Sequence, residues 1–239
     1  MELLTTSFQC LAFLIYLRVS ISQTNQPCLV DQFKMQENVT SNDFQGEWFV
    51  ISIRNQWTAQ NGQGLMDSDM RFRYTIASYG TINIETNLRT VLMGCMLLEG
   101  IAVSDPFSNM TKFTIISNNL AFRRHIFGNN NWIFRTDHKG FAVMYSCDYV
   151  RADGICDEAV VYTLNRNWNG HTQEEMRHID ETLASVCVHP STLVPVVQNG
   201  ECAFNNQVTP RRNTFPEAAM SQWMNIARQW MNTMGGFGM

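Results

Sequence analysis

The residues in this chain that could do chemistry are few, and their spacing argues against catalysis. Cysteine is the most telling type. Of seven, Cys10 lies in an apolar N-terminal stretch, while Cys28, Cys95, Cys147, Cys156, Cys187 and Cys202 are spread through the remainder. An even set invites disulfides without fixing their pairing, and six paired cysteines would leave no thiolate to act as a nucleophile. The five histidines, His125, His138, His171, His178 and His189, show no close pair at metal-ligand spacing and are expected on the surface or in turns. No metal site is expected. Glu174, Glu175 and Asp180 are read as the solvated face of a helix. Gly-x-Ser-x-Gly, His-Glu-x-x-His, the phosphate-cradling Gly-rich loop and the dinucleotide fingerprint are all absent from the sequence. The expectation is therefore a protein that is not an enzyme.

What remains for these residues is to hold a scaffold. A chain of 239 residues with 45% hydrophobic content can build one large core. Only 16% of residues are charged and the formal net charge is −4, unlike the basic footprint of a nucleic-acid binder. The apolar run Phe8 to Leu17 is too short to span a membrane and suits a secretory signal cleaved after Ser22. The sequons at Asn38 and Asn109 and the six cysteines favour an oxidising, extracellular compartment. No second apolar run is long enough for a transmembrane segment, so the mature chain is expected to be secreted.

Short β-branched and aromatic runs dominate the middle of the chain. They lie at Trp48 to Ile53, Met70 to Ile76, Thr81 to Thr86, Met93 to Ile101, Lys112 to Ser117, Leu120 to Ile126, Asn131 to Thr136, Phe141 to Asp148 and Ala159 to Leu164. Gly, Asn and Asp separate them and no amphipathic helix intervenes. The pattern predicts an antiparallel meander, closed into a barrel to remove its edges. Thr172 and Glu175 then form a capping box, with Met176, Ile179, Leu183 and Val186 on one face of a helix expected to dock on the barrel wall. The tail, residues 203–239, holds five of the 14 methionines and two of the six tryptophans. Thr214, Pro216 and Glu217 open a second predicted helix, with Met220, Trp223, Met224, Ala227, Trp230, Met231 and Met234 on one face and Gly235 and Gly236 stopping it. Packing on its own barrel or on a second copy is preferred there to lipid contact.

Three motifs in order resemble those of lipocalins. Gly46-Glu47-Trp48 resembles the family's Gly-x-Trp motif, Thr136-Asp137 its Thr-Asp motif, and Arg166 its late arginine. Within that family the chain is most similar to the retinol-binding proteins, through Asn131 to Asp137, Phe141 to Cys147, Asp153 to Cys156, Asn199 to Cys202 and the intervals between the cysteines. The resemblance covers roughly residues 28–202. It implies an all-β, eight-stranded up-and-down barrel with a C-terminal helix packed on it, over a domain of residues 23–202. It also implies bridges Cys28 to Cys187, Cys95 to Cys202 and Cys147 to Cys156, and a structural pair in which Arg166 lies across Trp48.

The implied ligand site is the barrel interior, gated by the loop from Arg54 to Ser68 with Trp57, Gly62, Gly64 and Met66. Strand alternation and the resemblance together put Ile84, Thr86, Leu98, Ile115, Asn131, Met144, Val160 and Tyr162 inward. That set suits a retinoid, carotenoid, fatty acid or sterol, and the resemblance puts a retinoid or carotenoid first. Ile84 and Thr86 replace the alanines that the resemblance leads one to expect, which weighs against retinol itself. The functional expectation is a secreted carrier of a small hydrophobic ligand, with a carrier protein, receptor or second copy as further partners. The alternative is an interaction protein assembled through its tail with little ligand binding.

Overall fold

The computed structural model describes residues 28–55, 66–77, 81–90, 94–104, 110–117, 130–157 and 159–204. The expected signal segment, Trp57, Gly62 and Gly64 of the gating loop, Asn109, the run Leu120 to Ile126 and the tail helix lie outside the described residues.

Eight strands form the barrel: β1 (Gly46–Arg54), β2 (Met66–Ile76), β3 (Ile82–Thr90), β4 (Gly94–Ser104), β5 (Lys112–Ile116), β6 (Asn130–Thr136), β7 (Phe141–Cys147) and β8 (Ala159–Asn165). Each pairs antiparallel with the next, and β1 pairs with both β8 and β2, which closes the sheet. Strand sequence dictates the facing. Along β3, Ile82, Ile84, Thr86, Leu88 and Thr90 are buried and the residues between them are not, the period-two pattern of a strand with one face in a core. β3 thus runs past the expected Thr86, since Leu88 and Thr90 continue the alternation.

Strand β2 begins at Met66, inside the stretch expected to be loop. The register shifts twice between Met66 and Arg71, and Asp69 takes a left-handed backbone angle of φ 57. A polar run with two bulges carries no alternating signal, so the sequence hid this part of the strand. β1 and β2 are paired only from Gly46 to Phe49. Above that, a strap after the last helix fills the seam. Its short strand β9 (Val194–Pro195) pairs with β1, Val196 N donates to Ile51 O at 2.9 Å, and Asp69 N donates to Val197 O at 2.8 Å. Gln198 Nε2 bridges the two strands, donating to Val50 O at 2.8 Å and Met70 O at 3.2 Å. The buried Asp69 carboxylate accepts the N–H groups of Asn199, Gly200 and Glu201 at 2.6, 2.7 and 3.1 Å. A buried charge is tolerable only with partners of this kind.

Among the described residues two α-helices flank the barrel, the one-turn α1 (Ser41–Phe44) and α2 (Gln173–Ser185). Thr172 caps α2: Glu175 N donates to its Oγ1 at 3.3 Å, and Thr172 N donates back to Glu175 Oε2 at 2.6 Å. The helix ends in a Schellman turn, with Val188 N donating to Leu183 O at 2.8 Å and Cys187 N to Ala184 O at 3.2 Å. Cys187 holds the left-handed position, φ 58, that favours glycine. Its bridge to Cys28 fastens this turn to the N-terminal segment; Cys95–Cys202 fastens the strap to β4, and Cys147–Cys156 closes the hairpin after β7.

The docked face of α2 differs from the expected stripe. Ile179, Leu183 and Val186 are buried against Phe141, Val143, Tyr145 and Val161, but Met176 is 43% exposed. The helix is rotated so that Glu175 and His178 turn toward the wall. Glu175 Oε2 accepts from Asn165 Nδ2 at 3.2 Å, and the His178 ring stacks on Phe141 at 6.3 Å. Glu175 therefore does not belong to the solvated face.

Candidate functional site

The closed end of the barrel is built first, because it fixes everything above it. Gly46 opens β1 with φ 98, and a Cβ there would lie 3.1 Å from Arg166 Nη1. Only glycine fits both demands. Two residues on, the buried Trp48 donates its indole N–H to Phe44 O at 2.9 Å and stacks on the Phe44 ring at 5.2 Å. The Arg166 guanidinium covers the indole at 3.9 Å from the ring centroid and donates to the carbonyls of Glu47, Gln45 and Asp43 at 2.7, 2.7 and 3.1 Å. These are structural contacts, and the carbonyl count is what sets the guanidinium rather than the ring alone.

Thr136 and Asp137 build the turn between β6 and β7. Thr136 Oγ1 donates to Phe141 O at 2.8 Å, and Asp137 Oδ1 accepts from Lys139 N, Gly140 N and Phe141 N at 3.0, 2.7 and 3.0 Å. Burial alone would raise the Asp137 carboxyl, but these N–H donors outweigh it and hold its pKa below the ordinary 3.8. His138 in the same turn approaches Asp43 at 3.2 Å, which ties it to α1.

His171 departs from a surface role. Burial lowers its pKa to about 4, against the opposing pull of Glu175. Asn165 Nδ2 donates to its Nδ1 at 3.0 Å, so the ring sits neutral between β8 and the start of α2. That position is part of the helix cap, away from the barrel interior.

All eight residues expected to face a ligand are buried. Ladder pairing places them on inward rows. Thr86 and Leu98 continue the row that starts at Trp48 and Phe72. Met144 and Tyr162 share a row with Ile133 and Ile53. Asn131 and Val160 share one with Phe113 and Ser146. Ile84 lies beside Tyr74, and Ile115 beside Ala102. Tyr74, Phe72, Ile133 and Ser146 also face inward and were missed. Alternation from Asn131 and from Tyr162's partners was the signal that could have found them.

Aromatic rings occupy part of the interior, next to the closed end: Phe72 meets Tyr162 edge to face at 5.4 Å, Phe44 meets Tyr74 at 5.7 Å, and Tyr74 Oη donates to Met144 Sδ at 3.4 Å. Burial raises the pKa of both tyrosines, so they stand there as neutral phenols. Among the described residues the only buried charges are Asp69 and Arg71, and they face the strap and Glu47. Thr86 Oγ1 is fully buried on the inward face with no hydrogen-bond partner. A lone hydroxyl in such a wall costs roughly 1–3 kcal/mol of desolvation until something pairs with it.

The chain is 25% identical over 183 residues to purpurin of Gallus gallus, covering 74% of this chain and 89% of that protein. It is 25% identical over 195 residues to retinol-binding protein 4 of Rattus norvegicus, covering 79% and 90%. Among solved structures it matches the cockroach allergen Per a 4 at a TM-score of 0.52 with 14% identity, over 70% of this chain and 94% of that one. Lobster apocrustacyanin A1 matches at a TM-score of 0.51 with 17% identity, over 68% and 82%. No family model matches the chain.

Proposed function

We propose that this chain, a lipocalin with retinol-binding-protein-like relatives, is a secreted carrier that takes a small hydrophobic molecule into its barrel and does no chemistry on it. A retinoid or carotenoid is the ligand class favoured, with fatty acids and sterols behind. The observation that carries this reading is the inward wall itself: mostly apolar side chains, with a buried, unpartnered hydroxyl at Thr86 among its few polar groups. Such a wall gains from every apolar surface removed from water, about 25 cal/mol per Å², and rewards one polar group on the ligand. Ile84, Leu98, Ile115, Met144 and Val160 supply the apolar contacts, and Asn131, Tyr162 and Thr86 the polar ones. Secretion is supported by three disulfides, which persist in oxidising compartments. The exposure of Asn38, in its sequon, supports a glycan there.

Titration of the full chain with retinol tests the reading, with tryptophan quenching and retinol fluorescence as the two signals. A saturable signal from retinol, or from a carotenoid, fatty acid or sterol titrated in its place, is expected; none with any of the four ligand classes would sink it. Thr86→Val refines the test. It should leave the fold intact and weaken a retinoid bearing a terminal hydroxyl about fivefold, roughly 1 kcal/mol, while leaving the matching hydrocarbon unchanged.

A further inference from the structure

The outer surface of the barrel carries a groove with a volume of ≈ 500 Å³ on β3, β4 and β5, lined by Thr75, Asn83, Glu85, Glu99, Ile101 and Ile116 among others. Asn83, Ile101 and Ile116 sit side by side across the three strands. Ile101, Val103 and Ile116 are 44%, 43% and 54% exposed, an apolar stripe on a face that no described element covers. Three strands about 4.8 Å apart present a face about 10 Å across, the width of one α-helix.

We infer that this groove is the docking site of the chain's own C-terminal helix, predicted from Pro216 to Met234. The described chain ends at its edge. Phe204, the last described residue, lies under the Arg73 guanidinium at 3.9 Å, and Arg73 pairs with Glu85 of the groove at 3.4 Å. The residues between Phe204 and Pro216 can span up to about 35 Å, so the tether does not limit reach. Charge agrees as well. Residues 205–239 carry Arg211, Arg212 and Arg228 against the single acid Glu217, whereas Glu85 and Glu99 border the groove. The helix would set Trp223, Ala227, Trp230 and Met234 on the Ile101, Val103 and Ile116 stripe. Its docking would give this wall the cover that α2 gives the opposite one.

Photo-crosslinking in the full chain tests this. A benzophenone amino acid at Ile116 is expected to attach to tail peptides within one chain, at monomer mass, and the same residue at Arg135, which is exposed on β6, is not. Glu99→Arg combined with the Ile116 probe should cut the tail adduct severalfold. Val103 serves as the second probe position should the first variant not fold. An adduct that joins two chains would overturn the inference in favour of assembly through the tail. Adducts with neither the tail nor another chain, or equal yield from position 135, would overturn it too. Ligand binding by the barrel is measured separately by retinol titration, so either result stands without the other.

Discussion

The two outer walls of one barrel are treated in opposite ways. On β6, β7 and β8 the outward residues Trp132, Phe134, Phe141, Val143, Tyr145 and Val161 are large, apolar and buried, closed over by α2 and by Phe33 of the N-terminal segment. On β4 and β5 the outward Ile101, Val103 and Ile116 are also apolar, yet exposed. Strand pattern does not separate the walls, since both carry apolar residues on both faces. What separates them is a helix fastened at each end: by the Thr172 cap and the Asn165–Glu175 hydrogen bond at its start, and by Cys28–Cys187 at its finish. An apolar outer face is thus a request for a partner, and here only one of two such requests is met among the described residues.

The largest test of this contrast is Leu183→Ala, which opens a cavity under α2 and should cost about 2–5 kcal/mol in non-reducing guanidinium unfolding. Next comes Arg166→Met. It removes the indole cover and leaves three carbonyls without their donor, so a loss of about 2–3 kcal/mol is expected, with Lys restoring little because it lacks the planar fork.

Acid should act on the clad wall through His171. Its folded pKa of about 4 is lower than the ordinary 6.5, so between those values the unfolded chain binds the proton first. Stability is then full above about pH 6.5 and falls as pH drops toward 4, by on the order of 1–2 kcal/mol once screening at a partly exposed site is allowed for. His171→Gln should flatten that slope in unfolding curves taken across the window; an unchanged slope would place the titration elsewhere. The smallest effect belongs to the other wall. Ile116→Ser should cost under about 1 kcal/mol, because a helix held only by a long tether is marginal. A cost equal to that of Leu183→Ala would erase the difference between the walls.

Much of this was legible in the sequence. The strands of the described residues and the α2 cap follow from alternation and capping chemistry, rules that are local, while alternation gave the inward set only as one of two faces and the family resemblance chose between them. Met176 and Glu175 were misjudged because four apolar positions define a helical stripe only to within its width, and the wall chose which edge of it to bury. The strap from Val194 to Glu201 gave no local sign. Its hydrogen bonds go to Ile51, Asp69 and Met70, more than a hundred residues earlier, and nothing in the short segment encodes those partners.

The opening cysteines divide in the same way. Sequence by itself determined that six could pair and that the chain alternates as a barrel, and its resemblance to lipocalins implied a closed end at Gly46, Trp48 and Arg166. Only the tertiary structure decided that Thr86 has its hydroxyl buried without a partner, that His171 sits neutral beneath a helix, and that among the described residues one apolar wall is covered and the other is not. Burial and pairing are properties of neighbours in space, and the chain fixes those neighbours only after it has closed the barrel.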